Sequence, residues 1–268
     1  KMHNIHRNDL NRQIWISQLM EKFYANWMHL TRSVDMTAFV EYNTINLANA
    51  GVDPDVLIDN TAYPIPTEER TDSALNITLS RFRTKNTVIR DAEAIELAYN
   101  KMESVIRGHR NALRQSTAAK ATWSWAPAAN DTYTPVFATT GDDRTDGLKA
   151  LTIKDIAKAQ RMFDELDVPA DGRVLVLCPK HREDLINADS ELLKVFANLR
   201  TGDVLQLYGF DIYTSTLTAK YNNGDGSKVA YGATPSGTDA PSSLFYVETE
   251  VMRADGDVEM FARLRDPE

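Results

Sequence analysis

Cysteine is almost missing from this chain of 268 residues: Cys178 stands alone. An intrachain disulfide framework and a cysteine-based zinc site are both excluded. Long apolar runs are missing too. No stretch approaches the roughly 18 residues of a membrane span, and no signal-peptide pattern opens the chain. Neither G-x-G-x-x-G nor G-x-x-x-x-G-K-[ST] occurs, which removes the commonest nucleotide-binding loops. Histidine is scarce at five. No H-E-x-x-H spacing exists, and only His3 and His6 lie close together, near the start of the chain. Positive charge is the minority: 30 Lys and Arg against 38 Asp and Glu give a net −8, which disfavours a strongly basic nucleic-acid binder. The chain opens on Lys1, as expected where another segment precedes it or a leader has been removed.

What is present, 43% hydrophobic and 25% charged residues, is the mix of a folded soluble protein. The length permits one large domain or two small ones. A lone thiol suits a reducing compartment.

Charge is unevenly spread. Residues 1–134 balance 15 basic against 15 acidic side chains, while 135–268 hold 15 against 23. Within the first half, 81–120 is net +5, and 53–72 is net −5 through Asp53, Asp55, Asp59, Glu68, Glu69 and Asp72 against Arg70. Two opposite blocks close in sequence are either surfaces meant to meet or two solvated faces.

Ile16, Leu19, Phe23, Trp27 and Leu30 recur at helical spacing, and Trp15, Met20 and Tyr24 widen that apolar face. Such a helix needs a broad partner. Phe39 to Leu47 reads as extended, a loop with Gly51, Pro54, Pro64 and Pro66 follows, and extended structure resumes at Leu75. Leu75, Ile77 and Leu79 share a face that continues as Arg81, Arg83 and Lys85. Together these runs predict an elongated hairpin, since a long acidic loop is at home in a projecting arm. Asp91 opens a long helix with acids in its first turns and Arg107, His109, Arg110 and Arg114 near its end, as the helix dipole favours. Residues 116–147 read as irregular and hold a domain boundary. Thr152 and Asp155 then begin a helix with a capping-box pair. Arg173 to Cys178 is a buried strand, Pro179 starts a helix, and Phe210 to Thr216 is a further strand, so the unit is β-α-β-like. Leu244 to Val251 and Val258 to Leu264, joined through Asp255-Gly256, read as a hairpin.

Catalytic chemistry has few candidates. Cys178 ends a buried strand and His181 opens the next helix, where a thiolate–imidazole pair would need convergent side chains. No Gly-x-Cys-x-Gly elbow surrounds the thiol, and a buried structural cysteine fits the same pattern. Asp53, Asp55 and Asp59 suggest calcium, yet an EF-hand needs Gly at its sixth position and Glu at its twelfth. Here those are Ile58 and Pro64. Trp123 and Trp125, near Arg114 and Lys120, are able to stack bases, and alternating aromatics equally describe a half-buried strand. No metal or cofactor site is expected.

The order of elements, with the stretches Val168-Pro-Ala-Asp-Gly-Arg-Val-Leu-Val-Leu-Cys-Pro179 and Leu207-Tyr-Gly-Phe-Asp-Ile-Tyr213, resembles the major capsid proteins of tailed bacteriophages. Their Hong Kong 97-type capsid fold carries such a proline–glycine turn into an apolar strand and a later Gly-Phe-x-[Ile/Val] strand. The resemblance covers about residues 14–265 and implies an α+β fold. It implies an N-terminal arm (1–34), an extended loop (35–86), a peripheral domain with a spine helix (87–151, the helix about 91–115), an axial domain (152–243) and a closing hairpin of the peripheral domain (244–268). It also implies a structural, non-enzymatic protein that self-assembles from pentamers and hexamers into an icosahedral shell around phage DNA. The protein would be made in the host cytoplasm and reside in the virion, without membrane. Portal, scaffold or decoration proteins would be its partners, and DNA would be contacted non-specifically. Inter-subunit contacts would involve Arg81, Arg83, Lys85, Asp53, Asp55, Glu68, Glu69, Trp15, Phe23 and Trp27. Two alternatives remain: an encapsulin-type compartment of the same fold, and a cytosolic α/β enzyme using Cys178 and His181.

Overall fold

The computed structural model describes residues 28–49, 56–61, 63–65, 70–87, 101–188, 197–198, 203–204 and 206–256. The chain divides into two compact units. One comprises Asp35–Arg81 with Ala254–Asp257, and the other takes in the remainder.

The smaller unit is a three-stranded antiparallel ribbon of β1 (Val40–Glu41), β2 (Thr44–Asn49) and β3 (Ser73–Thr78). The extended run predicted from Phe39 to Leu47 is broken, because Tyr42 and Asn43 adopt positive φ values of 47° and 64°. Asparagine tolerates the left-handed region, and two such residues in succession make the tight turn that a right-twisted hairpin requires. Register pairs Val40 with Ile45, Ile45 with Ile77, and Leu47 with Leu75. Every residue of β3 is nonetheless exposed. Among the described residues of this unit no α-helix or second sheet covers the ribbon, and an isolated ribbon of this size is marginal in water.

The larger unit holds the core. Its central sheet runs in the order β9 (Leu244–Val247), β4 (Arg173–Leu177), β6 (Phe210–Thr214), β5 (Gln206–Leu207), and β7 (Lys220–Asn222) and β8 (Asp239–Pro241) form a separate pair. β4 pairs parallel with β6 and antiparallel with β9. As the sequence predicts, all five residues of β4 are buried. Period-two alternation sends them to opposite faces. Val174 and Val176 join Ala126, Ala219, Tyr221, Leu244 and Tyr246 on one side. Leu175 and Leu177 join Ile156, Leu185 and Phe210 on the other.

Helices α3 (Ile153–Glu165) and α4 (Pro179–Asn187) contribute Ile156 and Leu185 to the second face. The Thr152–Asp155 capping box is present. Asp155 also accepts from the Thr140 hydroxyl at 2.7 Å and amide at 3.2 Å, so a buried carboxylate closes α3 onto the preceding loop. At the turn into β4, Gly172 has φ 75°, and a Cβ there would meet Glu248 at 2.8 Å. The buried Arg173 guanidinium secures the same turn, donating to the Pro169 carbonyl at 2.9 Å and pairing with Asp164 at 2.8 Å.

Three predicted features differ. The long helix α2 spans Lys101–Trp125 among the described residues and ends ten residues beyond position 115. Nothing in 116–125 breaks a helix, and Pro127 then forbids its continuation. Trp123 and Trp125 therefore lie in a last helical turn rather than a strand. Residues 244–247, predicted as one strand of a closing hairpin, pair with β4, and the other predicted strand, 258–264, lies outside the described residues. The apolar side chains of 244–247 are drawn to the central sheet's core because Leu244 and Tyr246 pack beside Val174 and Val176. Finally, β3 stops at Thr78, so no continuous strand carries the apolar face on to Arg81, Arg83 and Lys85.

A short helical turn, α1 (Met28–Thr31), precedes the ribbon and buries His29 and Leu30. It overlaps the end of the helix predicted from the spacing of Ile16, Leu19, Phe23, Trp27 and Leu30. The rest of that helix lies outside the described residues.

Candidate assembly surface

The predicted contact residues divide by position. Trp15, Phe23, Trp27, Asp53, Asp55, Glu68 and Glu69 lie outside the described residues. Arg81, Arg83 and Lys85 are described, and all three are exposed. Arg81 closes the ribbon unit, while Arg83 and Lys85 belong to the larger one. Among the described residues no carboxylate forms an ion pair with any of them.

Within the larger unit, residues 82–87 lie beside α2 and leave an open groove of about 450 Å³. Phe82, Val105 and Leu113 supply its apolar lining, and Arg83, Lys85 and His109 bring cations or a titratable ring. One turn on, Arg114 has Nε and one Nη buried without a hydrogen-bond partner. Each such orphaned donor costs on the order of 1–3 kcal/mol, so an acceptor arriving there would be favoured. From 104 to 130 the sequence contains four cations (Arg107, Arg110, Arg114, Lys120) and no carboxylate. Glu103, just before it, pairs with Arg107 at 3.2 Å.

The ribbon unit has the opposite character. It exposes Val56 at 85% and Ile58 at 83%, together with Leu57, Tyr63 and Ile65. These apolar groups sit in the acidic block 53–72, where Arg70 pairs with Asp72 at 2.9 Å. Contiguous exposed apolar residues of this kind mark interaction surfaces. The sequence carried a signal, the Val56-Leu57-Ile58 run between aspartates, which a reading as a loop overlooked. The groove gave no such signal, because it exists only once 82–87 lies against α2.

No described hydrogen bond joins the Cys178 thiol to the His181 ring. Cys178 is only 1% exposed, and burial pushes its thiol above the usual range. His181 Nδ1 instead meets the Ser243 hydroxyl at 2.7 Å, and that hydroxyl also accepts from the Cys178 backbone amide at 3.1 Å. Burial lowers the His181 pKa, with the Asp184 carboxylate opposing. Ser243 thus ties β9 to the β4–α4 turn, a structural arrangement. Cys178→Ser is expected to cost about 1–2 kcal/mol in a melt, since a buried hydroxyl needs partners, and to leave oligomeric state unchanged. A turnover abolished by that change would contradict this assignment. Among the described residues no cluster could hold a metal ion, and no helix is long and apolar enough to cross a membrane.

No protein-family model matches the chain, and no curated protein is similar to it. Solved structures are. A chain of Mycobacterium phage Che8 is 21% identical with a TM-score of 0.51, covering 66% of this chain and 64% of its own. The present chain therefore spans a little under two thirds of that relative. The capsid structure of cyanophage P-SCSP1u is 15% identical with a TM-score of 0.56, covering 82% of this chain and 72% of that one. The asymmetric unit of the bacteriophage PhiM1 mature capsid is 12% identical with a TM-score of 0.59, covering 84% and 74%. At such identities the likeness is one of fold. The α+β architecture is shared with phage capsid structures, in agreement with the resemblance read from the sequence.

Proposed function

We propose that this chain is a structural capsid subunit that self-assembles through homotypic contacts into a closed icosahedral shell enclosing phage DNA. The observation that carries the reading is the fold held in common with two phage capsid structures over more than four fifths of the chain. Two further features support it. A ribbon that leaves Leu75, Ile77 and the run Val56 to Ile58 substantially exposed suits an element completed by a neighbouring copy. Its acidic, apolar tip complements a groove that is apolar and cationic. On this reading Arg81, Arg83 and Lys85 of one copy meet the block containing Asp53, Asp55, Glu68 and Glu69 of another. Trp15, Phe23 and Trp27 form the apolar face of an arm packed on a neighbour. Pentamers and hexamers are the assembly units, and portal, scaffold or decoration proteins are further partners. The protein is made in the host cytoplasm and resides in the virion.

Sedimentation and electron microscopy test this directly. The expected result is closed particles on the order of megadaltons that protect DNA from nuclease when recovered from infected cells. A compact monomer or dimer at all concentrations would overturn it.

A further inference from the structure

At the C-terminal end of α2, two ammonium groups share one indole ring. Lys120 Nζ lies 4.2 Å from the Trp123 ring centre and Lys228 Nζ lies 3.9 Å from it. The two charges are therefore no more than about 8 Å apart. Lys120 also sits 4.7 Å from the ring centre of Tyr231, which meets Trp123 edge-on at 5.8 Å. Both rings are held by their polar atoms. Trp123 Nε1 donates to the Val229 carbonyl at 2.9 Å, and the Tyr231 hydroxyl donates to the Ser116 carbonyl at 3.1 Å. Lys228 Nζ donates to the Ala126 carbonyl at 2.6 Å, placing a cation at the negative end of the helix dipole.

Helix capping accounts for one ammonium group and not for two. Among the described residues no carboxylate pairs with Lys120 or Lys228, and proximity of Lys120 adds to burial in lowering the Lys228 pKa. Cation–π attraction offsets part of the repulsion, by about 0.5–2 kcal/mol per contact. An anion bound to either ammonium group would relieve the rest. The rings add a second requirement. Tyr231 is 41% exposed and carries Lys120 over its ring, so a ligand reaching the cation meets the aromatic ring as well. A carboxylate would use the cations alone. A nucleic-acid strand would use cations and rings together. The cluster also ends a stretch of helix with four cations and no carboxylate, from Arg107 to Lys120, about 20 Å long at the rise of an α-helix.

We propose that Lys120, Lys228, Trp123 and Tyr231 form a contact for the phosphodiester backbone of DNA, in which the lysines bind phosphate oxygens and the exposed Tyr231 ring stacks on a base or sugar. The proposal rests on the reading of the chain as a DNA-enclosing shell subunit. With a net charge of −8 the protein as a whole repels DNA, so the contact is local, sequence-independent and salt-sensitive.

Binding of the full-length subunit to a fluorescein-labelled 20-nucleotide oligothymidine, titrated across salt, is the test. Lys120→Gln with Lys228→Gln should weaken binding about tenfold at low salt. It should also reduce the slope of log affinity against log salt by roughly 1.4, two phosphate contacts' worth for a single strand. Lys154→Gln with Lys220→Gln, the same charge change at exposed positions, should shift affinity about twofold or less. Tyr231→Leu should weaken binding about fivefold while leaving the slope unchanged, a signature of stacking. Lys120→Gln alone spares the helix cap and should show half the slope change. Equal losses in the control pair, or unchanged binding in the lysine pair, would overturn the proposal. So would lysine-pair variants that bind DNA normally and fail to form particles, since a neighbouring copy's carboxylate would then be the true partner. A wild-type chain that binds the oligonucleotide and never forms particles would overturn the capsid reading and leave this contact standing.

Discussion

Arg81→Glu combined with Arg83→Glu and Lys85→Glu is expected to abolish particle formation while the subunits stay folded. All three side chains are exposed, so the substitutions should leave intrinsic stability nearly unchanged. Arg83 and Lys85 border the groove beside α2, and no described carboxylate pairs with any of the three. A single exposed ion pair contributes only about 0.2–1 kcal/mol. On the proposed pairing with the block of net −5, three reversals replace several attractions with repulsions, and a closed shell would repeat that change at every interface. Sedimentation should show unassembled subunits with an unaltered melting curve. Compensating reversals at Asp53, Asp55, Glu68 or Glu69 should restore particles, locating the partner. High salt should weaken the defect, because charges are screened within roughly 3 Å at 1 M. Normal particles from the triple variant at low salt would show that these cations are merely solvated.

Acid is expected to destabilise the subunit through His29. The ring is 2% exposed, and Nε2 lies 3.0 Å from the Thr122 hydroxyl on α2. That hydroxyl gives its proton to the Ala118 carbonyl at 2.9 Å, so it accepts from Nε2–H. The His29 carbonyl in turn accepts from the buried Tyr246 hydroxyl of β9 at 2.7 Å. Burial lowers the His29 pKa from 6.5 to about 4. The folded state therefore binds fewer protons than the unfolded state between those values. Stability is full above pH 6.5, falls as pH drops through this window, and levels off below about pH 4. The total loss is about 3 kcal/mol, from 1.36 kcal/mol per pKa unit. Denaturant melts across pH 7 to 4 measure it. His29→Gln, which keeps a donor for Thr122 and cannot charge, should flatten that part of the profile. An unchanged profile in the variant would place the acid sensitivity elsewhere.

The two units differ in how legible they were. β4, α3 and α4 were readable because each is set locally: an unbroken apolar run, a Thr–Asp cap and a proline at the first helical position. The ribbon was only partly readable. Its turn depends on two consecutive left-handed residues, Tyr42 and Asn43, and only asparagine advertises that conformation. The alternation Leu75, Ile77, Leu79 reads as a half-buried strand, yet Leu75 and Ile77 of β3 remain 48% and 41% exposed. A hydrophobic pattern states that a face needs cover and does not state which molecule covers it.

The sequence by itself determined most of the element types, the α+β class, the opposed charge blocks and the lack of nucleotide-binding motifs. These follow from composition and short-range spacing. Tertiary structure alone decided the rest. It put residues 82–87 against α2 to make the groove, drew 244–247 into the central sheet, and turned His181 to Ser243 rather than to the Cys178 thiol. It also set Lys228 and Lys120 over the same indole from positions more than a hundred residues apart. Each of these depends on which distant apolar faces pack together, and that choice is made by the shared core, where Val174 and Val176 meet Leu244 and Tyr246, and not by any local pattern of residues.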